Sequence, residues 1–243
     1  MGRRVSLFVT CVVDQLFPKV GLAMAEILER QGCAVDFLPD QTCCAQPAFN
    51  SGYHAEARDV ARHFLDLYAG AEVTHIVCPS GSCTSMITHH FEDLFRGDER
   101  EMERVHAVEQ KTWEFSQFLT DVLGVEDVGA RYHGVVTYHD SCHALRELKL
   151  KSPPRRLLAR VQGLTLAEMS AAEECCGFGG TFSVKFAPVS GAMARTKIES
   201  IQATGASAVV SIDSSCLMQL RGALAQAGLP VQALHLAEVL NSR

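Results

Sequence analysis

The sequence predicts an α/β fold of two similar lobes, each a small, mainly parallel sheet flanked by helices. Short β-branched apolar runs alternate with amphipathic helical stretches, as in parallel α/β sheets. The alternation stops and restarts near the middle of the 243 residues. A cysteine pattern also recurs in the two halves, which marks an internal duplication. The lobes are expected at 1–128, ending in joining helices, and at 129–243, each with its own sheet and core.

Val5 to Thr10 reads as a strand that carries Cys11 at its carboxyl end. Pro18, suited to a first helical turn, opens a helix whose Val20, Met24, Ile27 and Leu28 recur at helical spacing up to Gly32. Cys33 to Leu38 returns as a strand, ended by Pro39-Asp40 just before Cys43-Cys44. Tyr53 to Tyr68 is amphipathic, with Val60, Phe64 and Leu67 on one face. Val73 to Val77 is a third strand, running into Cys78-Pro-Ser-Gly-Ser-Cys83. Residues 84–124 read as helical joining segments around a polar interval, Arg96 to Arg104.

Val135 to Tyr138 restarts the pattern as a strand ending in His139-Asp-Ser-Cys142. Pro153-Pro154 opens a helix through Val161, and Leu164 to Met169 is a strand before Cys175-Cys176. Pro188 to Thr204 is helical, and Ala208 to Ile212 is a strand running into Asp213-Ser-Ser-Cys216. Val231 to Leu234 and Ala237 to Leu240 close the lobe as a strand and a helix. Ligands of such sheets gather beyond the carboxyl ends of the strands, where both cysteine sets are therefore expected.

Composition narrows the function. A hydrophobic fraction of 47% supports a proper core, and a net charge of −6 argues against a nucleic-acid partner. The basic group Lys149, Lys151, Arg155 and Arg156 reads as a solvated helix start. The first residues lack the apolar stretch of a signal peptide, and no run approaches the roughly 20 apolar residues of a membrane span. A cytoplasmic, reducing location is expected, where clustered cysteines hold metal more often than disulfides.

Nine of the ten cysteines fall into two parallel sets. Cys11 is followed after 31 residues by Cys43-Cys44, then after 33 by Cys78, with Cys83 close behind. Cys142 is followed after 32 residues by Cys175-Cys176, then after 39 by Cys216. A vicinal pair is an awkward chelate for one small ion but suits a cluster of several metals. Thiolates are the usual ligands of iron–sulfur clusters. Zinc and redox-active thiols remain alternatives, although only Cys78 and Cys83 come near the knuckle spacing of structural zinc. Gly177, Gly179 and Gly180 would let backbone amides approach cluster sulfur or would serve a tight turn, and the two readings are compatible. His139 and His143 bracket Cys142 and have the chemistry to ligate iron or move protons; both are read as lying behind the ligands or on the surface. Asp213 is read as a helix cap and Cys33 as a small buried hydrophobe.

The doubled pattern resembles the cysteine-rich CCG domain, in which a cysteine, a vicinal pair and a C-x-x-C follow at long intervals. That domain occurs twice in one component of heterodisulfide reductase and in iron–sulfur subunits of glycolate and glycerol-3-phosphate oxidation. Cys78-Pro-Ser-Gly-Ser-Cys83, Ser141-Cys-His-Ala-Leu-Arg-Glu-Leu148, Cys175-Cys-Gly-Phe-Gly-Gly-Thr-Phe182 and Ser215-Cys-Leu-Met-Gln219 are similar to a lactate-utilisation branch of the family.

The resemblance implies an iron–sulfur electron-transfer subunit of a complex oxidising L-lactate to pyruvate. It implies 4Fe-4S clusters on the nine paired cysteines, with a noncubane cluster open to the five of the first set. The implied partners are a ferredoxin-like iron–sulfur subunit and a third subunit. The resemblance also allows a thiol/disulfide reductase of heterodisulfide type, or a subunit of a glycolate or glycerol-3-phosphate oxidising complex. Two departures stand out: four residues separate Cys78 from Cys83, and Asp213 occupies the place of a cysteine before Cys216. No flavin or nicotinamide fingerprint is evident, since Gly177-Phe-Gly-Gly180 follows the thiols without a strand-to-helix turn.

Overall fold

The computed structural model describes residues 3–70 and 72–243; Met1 and Gly2, at the head of the first expected lobe, and Ala71 lie outside the described residues. Among the described residues, eight strands form two four-stranded sheets. The first holds β1 (Arg4–Leu7), β2 (Ala34–Phe37), β3 (Ile76–Cys78) and β4 (Thr112–Glu114) in the order β2-β1-β3-β4. The second holds β5 (Arg131–Tyr138), β6 (Gln162–Leu166), β7 (Ala208–Ser211) and β8 (Gln232–His235) in the order β6-β5-β7-β8. Every pairing is parallel. The same order thus occurs twice, as the duplicated cysteine pattern predicts.

The expected helices form at Pro18–Arg30, with proline at its start, at His54–Tyr68 and at Ala187–Ala203. Three local expectations change. The polar interval after Arg96 becomes a helix, Glu99–Glu109, because Asp98 caps it by accepting from the Glu101 amide. Thr112–Glu114, expected to be helical, is the edge strand β4; Lys111 and Thr112 carry the chain alongside β3, and pairing supplies what three residues alone do not. β5 also begins at Arg131, four residues before Val135.

Each lobe has a buried cluster of its own, around Phe8, Phe64, Tyr68 and Phe91 in the first and around Ile198, Val209, Leu217 and Leu220 in the second. A third cluster belongs to both. It joins Val5, Leu7, Ile27, Leu28 and Phe118 to Val136, Tyr138, Leu157, Val239 and Leu240, and so corrects the expectation of separate cores. The helix Pro18–Arg30 packs on the last helix, Leu236–Leu240. There the Asn241 side chain accepts from Arg30 at 2.8 Å and donates to Glu26 at 2.7 Å. No helix of the described residues is long and apolar enough to cross a membrane.

Candidate metal centres

In the strand order 2-1-3-4 the connections leave β1 and β3 in opposite directions, opening a crevice beyond their carboxyl ends. The first cysteine set gathers there. Cys11 starts the short helix Cys11–Leu16 just after β1, and Cys78 is the last residue of β3. Cys83 lies in the helix Gly81–Ser85, whose cap, Ser80, accepts from the Cys83 amide. Cys43-Cys44 enter from the loop after β2, where Ala45 takes a left-handed backbone (φ 73°) and turns the chain behind the pair.

The thiols form one chain of neighbours. Cys11 Sγ lies 3.8 Å from Cys43 Sγ, Cys44 neighbours both Cys43 and Cys83, and Cys83 neighbours Cys78. Bonds from Cys11 and Cys44 bring the Cys43 thiol down to about 3, and bonds from Cys44 and Cys78 bring Cys83 down to about 5. The donors Cys11, Cys44 and Cys78 are correspondingly pushed up. The thiols thus lie bonded to one another in a largely buried crevice, where a thiolate would call for compensating positive charge.

The second set repeats this beyond β5 and β7. Cys142 opens the helix Cys142–Arg146, the pair Cys175-Cys176 precedes Gly177, and Cys216 lies in the helix Ser214–Gln226. Bonds from Cys142 and Cys176 bring Cys175 down to about 2, while Cys176, bonded to Cys175 and Cys216, is pushed up. Gly177 serves the expected tight turn, with φ 87°, and its amide donates to Cys175 Sγ at 3.4 Å. All ten cysteines are free, and Cys33 stays apart from both sets, in the shared core.

Counting from the strand ends shows which residues correspond. Ser80 and Asp213 both cap a helix, and Cys83 and Cys216 each follow three residues later. Cys78, closing β3, therefore corresponds to Ser211, closing β7. The cysteine absent from the second set is at Ser211, and Asp213 stands opposite Ser80, which corrects the placement read from the C-x-x-C pattern. Asp213 is a cap, as expected, accepting from the Ser215 amide at 3.2 Å. Its other oxygen reaches across the lobes and accepts from the Ser82 amide at 3.0 Å and the Ser80 hydroxyl at 3.3 Å. The loops that carry Cys83 and Cys216 are thus tied through one carboxylate.

Of the two histidines, His143 is half-buried near Glu147, whereas His139 is wholly buried, contrary to a surface reading. Burial and the nearby Lys197 cation bring the His139 imidazole down to about 3, so it is neutral. Lys197 gives no signal in the sequence, because a lysine within an amphipathic helix reads as solvated. It is buried and donates to the carbonyls of Ala171 and Ala172. Its counterpart at the same step of the first lobe's helix is Phe64, stacked edge-on to Phe8, which in turn corresponds to His139.

Three members of the basic group are paired with carboxylates, and Lys149 donates to the Arg146 carbonyl. Arg155 pairs with Asp140 and Glu168, Lys151 with Glu173, and Arg156 with Glu126. The Arg155–Asp140 pair pins the loop between β5 and Cys142, since Asp140 is buried beside His139.

Comparison with known proteins agrees with this duplication. The family model "CCG: Cysteine-rich domain" matches residues 5–88 and 136–221. "Lactate utilization protein A" of Geobacillus kaustophilus is 48% identical over 243 residues, covering 99% of this chain and 99% of that protein. The Exiguobacterium sp. protein of the same name is 47% identical over 237 residues, covering 98% and 96%. The crystal structure of a hypothetical protein from Helicobacter pylori matches in fold, with a TM-score of 0.60 at 9% identity. It covers 98% of this chain, which spans 48% of that longer structure.

Proposed function

Because the chain belongs to the cysteine-rich CCG-domain family, we propose that it is an iron–sulfur electron-transfer subunit of a complex oxidising L-lactate to pyruvate. The observation that carries this reading is the pair of continuous thiol chains at the switch points of two like sheets. Cys11, Cys43, Cys44, Cys78 and Cys83 would hold one 4Fe-4S or noncubane group, and Cys142, Cys175, Cys176 and Cys216 the other. The donor set fits such groups: the thiols are soft, free of disulfides and gathered within reach of one another. Iron–sulfur clusters bound there would accept and release single electrons.

The residues around the sulfurs keep water away and fix their geometry. Cys44, Cys78, Cys83, Cys176 and Cys216 are buried, which limits hydrolysis and oxidation. The Gly177 amide aims at Cys175 and would steady the negative charge of a sulfur ligand. Asp213 holds the Cys83 and Cys216 loops against each other, which would keep two one-electron sites near one another. That suits a relay or small store between a two-electron substrate step elsewhere and a one-electron partner. By their names the relatives act in lactate utilization. The partners proposed are a ferredoxin-like iron–sulfur subunit and a third subunit of the same system, in the cytoplasm.

The test is lactate-dependent dye reduction. The purified chain alone should not oxidise lactate, and the reconstituted complex should lose activity when Cys44→Ser or Cys176→Ser is introduced. Lactate oxidation by the chain alone, or full activity with both vicinal pairs removed, would overturn the proposal.

A further inference from the structure

The second cysteine set is one thiol short of the first, because Ser211 stands where Cys78 stands. Ser211 does not substitute for it: its hydroxyl donates to the His139 backbone carbonyl at 3.0 Å. In the first lobe Cys78 completes the chain of sulfurs beside Cys83. Beside Cys216, the counterpart of Cys83, lies the His139 ring. One of its nitrogens and the sulfurs of Cys176 and Cys216 all fall within 4.8 Å of one another. That separation approaches the sum of two metal–ligand bonds of about 2.0–2.3 Å each.

Nothing in the fold otherwise accounts for an imidazole there. His139 is fully buried, and neither ring nitrogen makes a hydrogen bond. One nitrogen faces the Ala172 carbonyl, which already accepts from the Asp140 amide and from Lys197. Leaving a buried polar group without a partner is destabilising. The corresponding place in the first lobe is filled by Phe8, packed against Phe64 and Tyr68, so the architecture asks for no polar group at this point. Imidazole nitrogen is an accepted iron ligand alongside thiolate.

We propose that His139 is a ligand of the second metal centre, giving that site four thiolates and one imidazole nitrogen where the first site has five thiolates. The proposal rests on the iron–sulfur reading above. It makes the two centres chemically unequal: the second, with a neutral ligand in place of a thiolate, has the higher reduction potential.

The experiment uses full-length, anaerobically reconstituted protein in which only histidine carries 15N. Adjacent redox states differ by one electron, so one of each pair is paramagnetic and open to pulsed electron paramagnetic resonance. A strong nitrogen coupling of a directly bound ligand, changed by the 15N label, is expected. It should be lost in His139→Ala and kept in His143→Ala. His139→Cys, which recreates the donor set of the first site, should retain iron without the coupling. His139→Ala should release second-site iron to a chelator at least about tenfold faster than the parent. Iron and sulfide present with no histidine coupling, only a weak one, or one that follows His143 would overturn the proposal while leaving the iron–sulfur reading intact. Protein without iron or sulfide would overturn both.

Discussion

Single residues in this chain separate what holds the sites from what merely fills the core. Cys33 lies in the shared apolar cluster, away from both thiol sets, so Cys33→Ala should keep full iron and sulfide. Cys216→Ser should deplete the second site and largely spare the first, read as loss of one of two spectroscopic signals. A second residue-scale effect concerns pH. Burial pushes the Glu114 carboxyl from 4.5 up to about 7, against the bonds from Ser116 and Gln117 that favour its charged form. Between pH 4.5 and 7 the folded chain thus keeps a proton that the unfolded chain has lost. The contribution is fully present below pH 4.5 and is lost as pH rises through 7. At about 1.36 kcal/mol per unit it amounts to roughly 3 kcal/mol. Thermal melts of the loaded protein at pH 5.5 and 8 should show this decline, and Glu114→Gln should flatten it. Equal slopes in the two proteins would count against the assignment.

Among the elements, the short turns behind the vicinal cysteines govern the sites more than the sheets do. Gly177 takes φ 87°, and a Cβ there would meet the Ser190 carbonyl at 2.7 Å. Gly177→Ala should therefore cost about 1–2 kcal/mol in backbone strain alone and lower second-site iron, measured as iron per chain. Gly81 plays a different part, with its Cβ position 2.5 Å from the Ala144 Cβ. The helices that carry Cys83 and Cys142 approach so closely only because Gly81 has no side chain. Most of these elements were legible in the sequence, because β-branched runs and helical spacing are local signals. β4 was not, since Thr112-Trp-Glu114 has no period of its own and exists by pairing with β3. The nine cysteines of the candidate sites were legible from their spacing. The match of Cys78 to Ser211 was not, because it depends on where β3 and β7 end, and neither was the burial of His139 and Lys197, set by packing between segments far apart in the chain.

Across the whole molecule, the core shared by the two lobes is expected to make them unfold as one cooperative body. Each buried Leu, Ile, Val or Phe contributes about 1.5–3 kcal/mol, and the shared cluster draws such residues from both sheets. Trp113, the one tryptophan, sits on β4 of the first lobe, whereas far-ultraviolet circular dichroism reports both lobes. Denaturant unfolding followed by the two probes should coincide in a single transition. A separate, earlier Trp113 transition would show instead that the lobes unfold independently. This cooperativity also bears on the proposed relay, because the Asp213 tie between the Cys83 and Cys216 loops is only as rigid as the body around it.

The central claim, two iron–sulfur centres on the doubled cysteine sets, is tested most directly by metal analysis of anaerobically purified protein. Iron, acid-labile sulfide and zinc would be quantified together on the same sample. The account predicts iron with comparable sulfide, bleached by air, and little zinc; stoichiometric zinc without sulfide, in a chain that keeps its fold, would contradict it.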